Sequence, residues 1–163
     1  MRKLLIGTAL LLLAGANAFA QLPQQPQKSS TRFGSLTVND QRLLLFNGHP
    51  LQPPIEGNSS LDLGEPFRIG STDVVLVTDN GGTACPFLYY FVTVSRWGAK
   101  ATPSFGTCGE VTNVKRNGNS ISLTMPGYQG PFEPEAEKRK AARQRHLFVF
   151  HDGEVTENGK QVK

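Results

Sequence analysis

Val111-Thr112-Asn113-Val114-Lys115-Arg116-Asn117-Gly118-Asn119-Ser120-Ile121-Ser122-Leu123-Thr124-Met125 is the stretch whose reading decides the fold. In its second half Ile121, Leu123 and Met125 alternate with Ser120, Ser122 and Thr124. A period of two places the apolar set on one side of an extended chain, so a strand covering a core with one face is predicted. The first half runs into Asn117-Gly118-Asn119, and an Asn-Gly step supplies the positive φ that a tight hairpin turn demands. The two halves are predicted to pair antiparallel.

Upstream, 73–78 (Val74, Val75, Leu76, Val77) and 87–94 (Phe87, Leu88, Tyr89, Tyr90, Phe91, Val92, Val94) are apolar on both parities. Such strands sit centrally, covered on both faces. Phe87, Tyr89 and Phe91 share one of those faces and read as core aromatics, with Tyr90 on the other. Asp79-Asn80-Gly81-Gly82 is a turn cluster between the two strands. Earlier strands are expected at 35–38, 42–46 and 66–69, the last preceded by a long irregular segment at 47–64 rich in Pro and Gly. One helix is expected at 134–145, with Pro at its first turn, acids first, bases last and a favourable Glu135–Arg139 spacing. It is polar nearly all round and belongs on the surface. Strands at 147–150 and 154–156 follow, joined by Asp152-Gly153. The fold class is mainly β, an antiparallel β-sandwich or partly open barrel with one C-terminal surface helix. Leu44-Leu45-Phe46-Asn47-Gly48 echoes 148–153 as an apolar strand entering a glycine turn, a likeness that hairpins share without being repeats.

The N-terminus carries Arg2 and Lys3, an apolar run from Leu4 to Leu13, and Ala18-Phe19-Ala20 before Gln21. That order is a secretory signal peptide with cleavage after Ala20. An uncleaved anchor needs a span of about 20 apolar residues, roughly twice this run. Residues 1–20 are therefore read as signal peptide, 21–31 as a flexible polar tether, and 32–163 as a single β-rich domain. The expected location is periplasmic or secreted, without stable membrane insertion. Loss of Arg2 and Lys3 with the leader lowers the formal net charge of +4 by two. Much of the basic excess lies in one stretch (Lys138, Arg139, Lys140, Arg143, Arg145), and the rest of the body is balanced. Nucleic-acid binding has no support in that distribution.

Cys85 and Cys108 are the only cysteines. In an oxidising compartment a lone pair forms one structural disulfide, and neither a Cys-x-x-Cys spacing nor a helix start marks this pair as redox-active. The surrounding Cys85-Pro86-x-x-Tyr89 and Thr102-Pro103-x-Phe105-Gly106-Thr107-Cys108 resemble a segment found in a group of exported proteobacterial proteins of uncharacterised function. The resemblance covers the middle third of the chain. It implies a periplasmic protein and brings no catalytic residue with it.

No catalytic signature stands in the chain: Gly-x-Ser-x-Gly, Ser-x-x-Lys, His-Glu-x-x-His and the phosphate loop are all missing from the sequence. His49, in the loop that also holds Glu56 and Asp62, is the histidine to test as a base. His146 and His151 are five apart and fall on opposite faces of a strand, a spacing that fits no standard zinc site. No metal ligand set and no cofactor are expected. Trp97, beside Arg96 and Gly98 at an expected turn, is the best candidate partner anchor if its side chain is exposed, because Trp and Arg dominate binding hot spots. Lys138, Arg139, Lys140 and Arg143 are either a solvated helix face with its own ion pairs or a docking site for an envelope protein or anionic envelope surface. The expected function is that of an exported non-enzymatic binding or inhibitory module with an envelope partner. A small envelope hydrolase, with His49 or His151 beside a Ser or carboxylate in a cleft, and a structural envelope component are the alternatives.

Export is expected to leave Gln21 at the N-terminus of the mature protein. Intact-mass measurement of the exported protein checks this, and a membrane-bound species retaining Met1 would overturn it.

Overall fold

The computed structural model describes residues 27–163. The expected leader at 1–20 and residues 21–26 of the expected tether lie outside the described residues. Among those described, three antiparallel sheets form. The N-terminal sheet runs in chain order through β1 (Lys28–Thr31), β2 (Gly34–Val38), β3 (Leu44–Phe46) and β4 (His49–Pro50). The central sheet contains β5 (Ser60–Leu63), β6 (Phe67–Ile69), β7 (Thr72–Asn80), β8 (Phe87–Ser95) and β9 (Gly98–Ala101). Its order is β5-β7-β8-β9, with β6 sharing the β5 edge of β7. The C-terminal sheet is β10 (Asn113–Asn117), β11 (Ser120–Met125), β12 (His146–His151), β13 (Glu154–Glu157) and β14 (Lys160–Gln161), again in chain order. The helix α1 (Glu135–Arg143) lies in the β11–β12 connection. The protein is mainly β, a sandwich with one helix, and its sheets do not close into a barrel.

The central sheet is covered on both faces. Val74, Tyr89 and Phe91 point toward Ile121, Leu123, Met125, Phe148 and Phe150 of the C-terminal sheet. Val75, Val77, Val92 and Val94 point the other way, against Leu36 and Leu44 of the N-terminal sheet and Leu51 and Ile55 of the loop after it. Strands apolar on both parities thus occupy the middle layer, and Phe91 forms one core with Phe105 (ring centroids 5.3 Å apart) and Phe150 (4.8 Å). Tyr90 packs on the opposite face, as its parity requires. In the β10–β11 hairpin Asn117 faces Ser120 across Gly118-Asn119, with Gly118 at φ +60°.

The tether reading is corrected at its end. Lys28–Thr31 form β1, paired antiparallel with Gly34–Thr37. Their polar side chains explain both the misreading and the order. Ser29 Oγ donates to Gly64 O (2.8 Å), while Gln27, just ahead of the strand, donates to Asp62 (2.6 Å) and accepts from Leu63 N (2.9 Å). Hydrogen bonds to the central sheet edge take the place of an apolar face. The same edge strand, β5, lies inside the segment expected to be irregular. Arg42, at φ 62°, delays β3 to Leu44. The helix is shorter than expected, and its ion pairs are Glu135–Lys138 (3.1 Å) and Glu137–Lys140 (3.8 Å), three residues apart, in place of Glu135–Arg139.

Cys85 and Cys108 are joined in a disulfide. The loop they close returns beside β8: Tyr89 N donates to Phe105 O and Phe105 N to Tyr89 O, each at 2.9 Å. Tyr89 O–H donates to Gly109 O (3.2 Å) and accepts from Val111 N (3.2 Å), which ties the end of that loop to the aromatic strand.

Reduction of the Cys85–Cys108 bond is expected to lower unfolding free energy by about 3 kcal/mol, the loop-closure entropy of a loop this long. Paired urea titrations with and without reductant check it, with thiol titration of the unreduced, unfolded protein expected to find none free.

Candidate functional site

The alternation that buries Tyr89 and Phe91 continues along β8 to Thr93 and Ser95, on the same face. There the C-terminal sheet stops, because β12 turns back into β13 through Asp152 and Gly153. The central sheet outruns its cover and its exposed face becomes polar. The result is a groove of about 630 Å³. Thr72, Thr93, Ser95 and Lys100 lie along the central-sheet side; Phe150, Asp152, Gly153 and Glu154 line the other.

Trp97 stands at the rim, 84% exposed. With Arg96 it forms the two-residue turn between β8 and β9, closed by Ser95 opposite Gly98. Two contacts hold the turn: Trp97 N donates to Ser95 Oγ (3.1 Å), and the Arg96 guanidinium lies 4.6 Å from the indole centroid. Water surrounds an aromatic whose backbone is pinned. The turn is where the sequence placed it; the groove it overhangs, with Lys100, Asp152 and Glu154, joins residues that no spacing in the chain connects.

The basic stretch is brought together on α1, of which no residue is buried. Lys138 and Lys140 are engaged by their own glutamates, and Arg145 donates to the carbonyls of Ala142 (3.0 Å) and Gln144 (2.9 Å) near the helix end. Arg139 and Arg143, four apart and so on one side of the helix, make no ion pair among the described residues. The helix is attached through Gly127 N, which donates to Ala141 O (2.9 Å), and a Cβ at Gly127 would stand only 3.1 Å from that oxygen.

The histidines are distributed as their spacing requires. His146 Nδ1 meets Glu157 at 2.6 Å on the core-facing side of β12. His151, on the outward face, has Ser120 Oγ 3.0 Å from Nδ1 and Asp152 Oδ2 3.3 Å from Nε2. Ser120 was not singled out in the sequence, and only the β11–β12 register, which sets it opposite His151, brings the two together. The contact does not make an activated nucleophile. The His151 and Asp152 side chains are 59% and 82% exposed on an open sheet surface, where water competes for each contact and nothing encloses a reacting group. His49 is exposed in β4, and the expected neighbour Asp62 instead accepts from Gln27 and from Asn80 Nδ2 (2.6 Å). Among the described residues no group of three His, Cys, Asp or Glu side chains is placed to hold a metal ion, and no helix is long and apolar enough to cross a membrane.

Two tyrosines are electrostatically perturbed, neither toward reactivity. Burial pushes the Tyr89 phenol above its ordinary value, partly offset by the Val111 N–H and reinforced by the Glu110 charge. Burial likewise raises Tyr90, aided by the Asp79 carboxylate and opposed by a hydrogen bond to Ser104. Both remain neutral phenols at physiological pH.

No family model matches the chain, and neither a curated protein nor a solved structure matches it.

Replacing Lys138, Arg139, Lys140 and Arg143 together by Gln is expected to leave the unfolding free energy within about 1 kcal/mol of the parent, since exposed pairs contribute little. Chemical denaturation checks this, and a loss of several kcal/mol would show that α1 is part of the framework.

Proposed function

We propose that this chain is an exported, non-enzymatic binding module, of binding or inhibitory type, that engages an envelope partner through the groove beside Trp97. The observation that carries the reading is a large aromatic side chain, almost fully exposed yet fixed by its turn, at the mouth of a groove that mixes hydroxyls with charges of both signs. The apolar surface of an exposed indole is hydrated at a free-energy cost that a covering partner relieves, and Trp and Arg are the commonest anchors of such contacts. The leader pattern in the sequence and the disulfide favour an extracytoplasmic workplace, periplasmic or secreted.

A second surface is favoured by one observation, the pair Arg139 and Arg143 without ion-pair partners on α1. An anionic envelope surface or acidic protein docking there would be released by salt within a physiological range. The two readings predict different outcomes from the same capture experiment.

Trp97 is the sole tryptophan, so its emission reports directly on the groove. Mature protein is expected to capture its partner from envelope extract, with a blue shift of Trp97 emission on titration with the purified partner. Trp97→Ala is expected to weaken capture by about thirtyfold, the effect of an anchor worth about 2 kcal/mol. Capture unchanged in Trp97→Ala but lost in the four-Gln helix variant would transfer the function to α1.

A further inference from the structure

All four residues of β9 line the groove, and β9 is an edge strand, paired with β8 on one side only. The phase of that pairing fixes which of its backbone groups are free. The two-residue turn is closed by Ser95 and Gly98, so this pair and, two residues on, Thr93 with Lys100 are the ones that exchange hydrogen bonds. Thr102 N, donating to Phe91 O at 3.0 Å, continues the same phase. Ala99 and Ala101, opposite Val94 and Val92, therefore aim their N–H and C=O groups away from β8. No loop backbone or side chain among the described residues takes up those groups. The two methyl side chains pack against the second core, on the face away from Thr93 and Lys100, so they do not stand in the way of another backbone at the sheet spacing of about 4.8 Å.

The facing wall is acidic. Among the described residues Asp152 has one ion-pair partner, the exposed His151, and Glu154 has none. A peptide strand added to β9 would send alternate side chains toward that wall. Four residues of β9 match a strand of about 13 Å. A saccharide could use Trp97 and the hydroxyls, but it would leave the row of outward amide groups without partners in the pattern they present.

Resting on the binding-module reading above, we propose that the groove takes an extended peptide, which adds to β9 as a further antiparallel or parallel strand and sets a basic side chain against Asp152 and Glu154. Main-chain hydrogen bonds to Ala99 and Ala101 hold it, the carboxylates select its charge, and Trp97 covers it at the turn.

The probe is a library of random heptapeptides displayed on phage and selected on the mature protein, followed by synthesis of the selected sequence. The selected peptides are expected to be enriched in Lys or Arg and to shift Trp97 emission. Methylating the peptide's backbone nitrogens one at a time is expected to weaken binding about tenfold at alternate residues and hardly at all at those between. Glu154→Gln is expected to weaken binding and flatten its salt dependence. Ala101→Pro removes an outward N–H that the β8 pairing does not use and is expected to weaken binding too. The N-methyl scan alters only the peptide, so it decides the matter even where that variant does not fold. Emission shifts without an alternating N-methyl pattern would overturn strand addition and leave the groove reading standing. Selected peptides that bind without any emission shift, and equally well to Trp97→Ala, would overturn the groove reading itself. No peptide selected while a panel of oligosaccharides shifts the emission, or concentration-dependent dimerisation lost in Ala101→Pro, would replace the peptide by a sugar or by a second copy.

Discussion

Val74 and Val75 are neighbours in the chain and belong to different cores. That is the constraint on which the rest of the structure depends. Once β7 and β8 pair along their full lengths, each presents apolar side chains to both faces of one sheet, and neither face can be left to water. Two covering layers are then required. The C-terminal sheet supplies one through the regular alternation of β11 and β12; the N-terminal sheet supplies the other with fewer apolar residues. Phe91, Phe105, Phe148 and Phe150 interlock at tilted or stacked geometry on the first interface, while aliphatic side chains fill the second.

The N-terminal layer is small, and polar contacts at its ends complement its apolar contact. At one end Asp73, 1% exposed, accepts from Arg32 N (2.7 Å) and Arg32 Nε (2.8 Å), while the same guanidinium donates to Thr72 O (2.7 Å). A carboxylate at this depth is tolerable because it is paired and multiply hydrogen-bonded. The guanidinium also lies 5.2 Å from the centroid of the Phe33 ring, so the β1–β2 turn is clamped to the start of β7. At the other end Gln27 and Ser29 bridge to β5 and to Gly64 just beyond it. The central edge strands β5 and β6 are thereby shielded on one side of the molecule. Among the described residues no strand pairs with the outer edge of β9.

That asymmetry places the groove. On the face toward the C-terminal sheet the hydrophobic requirement ends where β8 changes from Tyr89 and Phe91 to Thr93 and Ser95, and that sheet ends with it, while Val94 stays buried on the other face. What remains is a short polar shelf of central sheet, an acidic hairpin opposite, and an indole at the rim. The groove's lining joins hydroxyls and charges of both signs with the apolar Ile69, Phe150 and Trp97. It offers no buried nucleophile: the Ser120–His151 contact lies on the outward face of the C-terminal sheet.

Local rules made much of the fold legible. Period-two alternation identified β11, two-sided apolarity identified β7 and β8 as central, Asn-Gly and Asp-Gly steps marked hairpins, and the lone cysteine pair announced its bond. Trp97 was legible as a turn residue because Arg96 and Gly98 flank it at the end of an apolar run. Five strands escaped: β4, β9 and β14 are short return strands of hairpins, whereas β1 is held by Gln27 and Ser29 reaching β5 and Gly64, and β5 by its register with β7. Their side chains carry no period that sequence alone can read. The sequence by itself therefore determined the class, the middle layer, the disulfide and the turn that carries Trp97, since each follows from neighbours a few residues apart or from composition. Only the tertiary structure decided that there are three layers, that the central sheet outruns one of them, and that Lys100, Asp152 and Glu154 share a groove with Trp97. Those depend on how far each sheet extends over the next, a quantity set by packing between strands far apart in the chain.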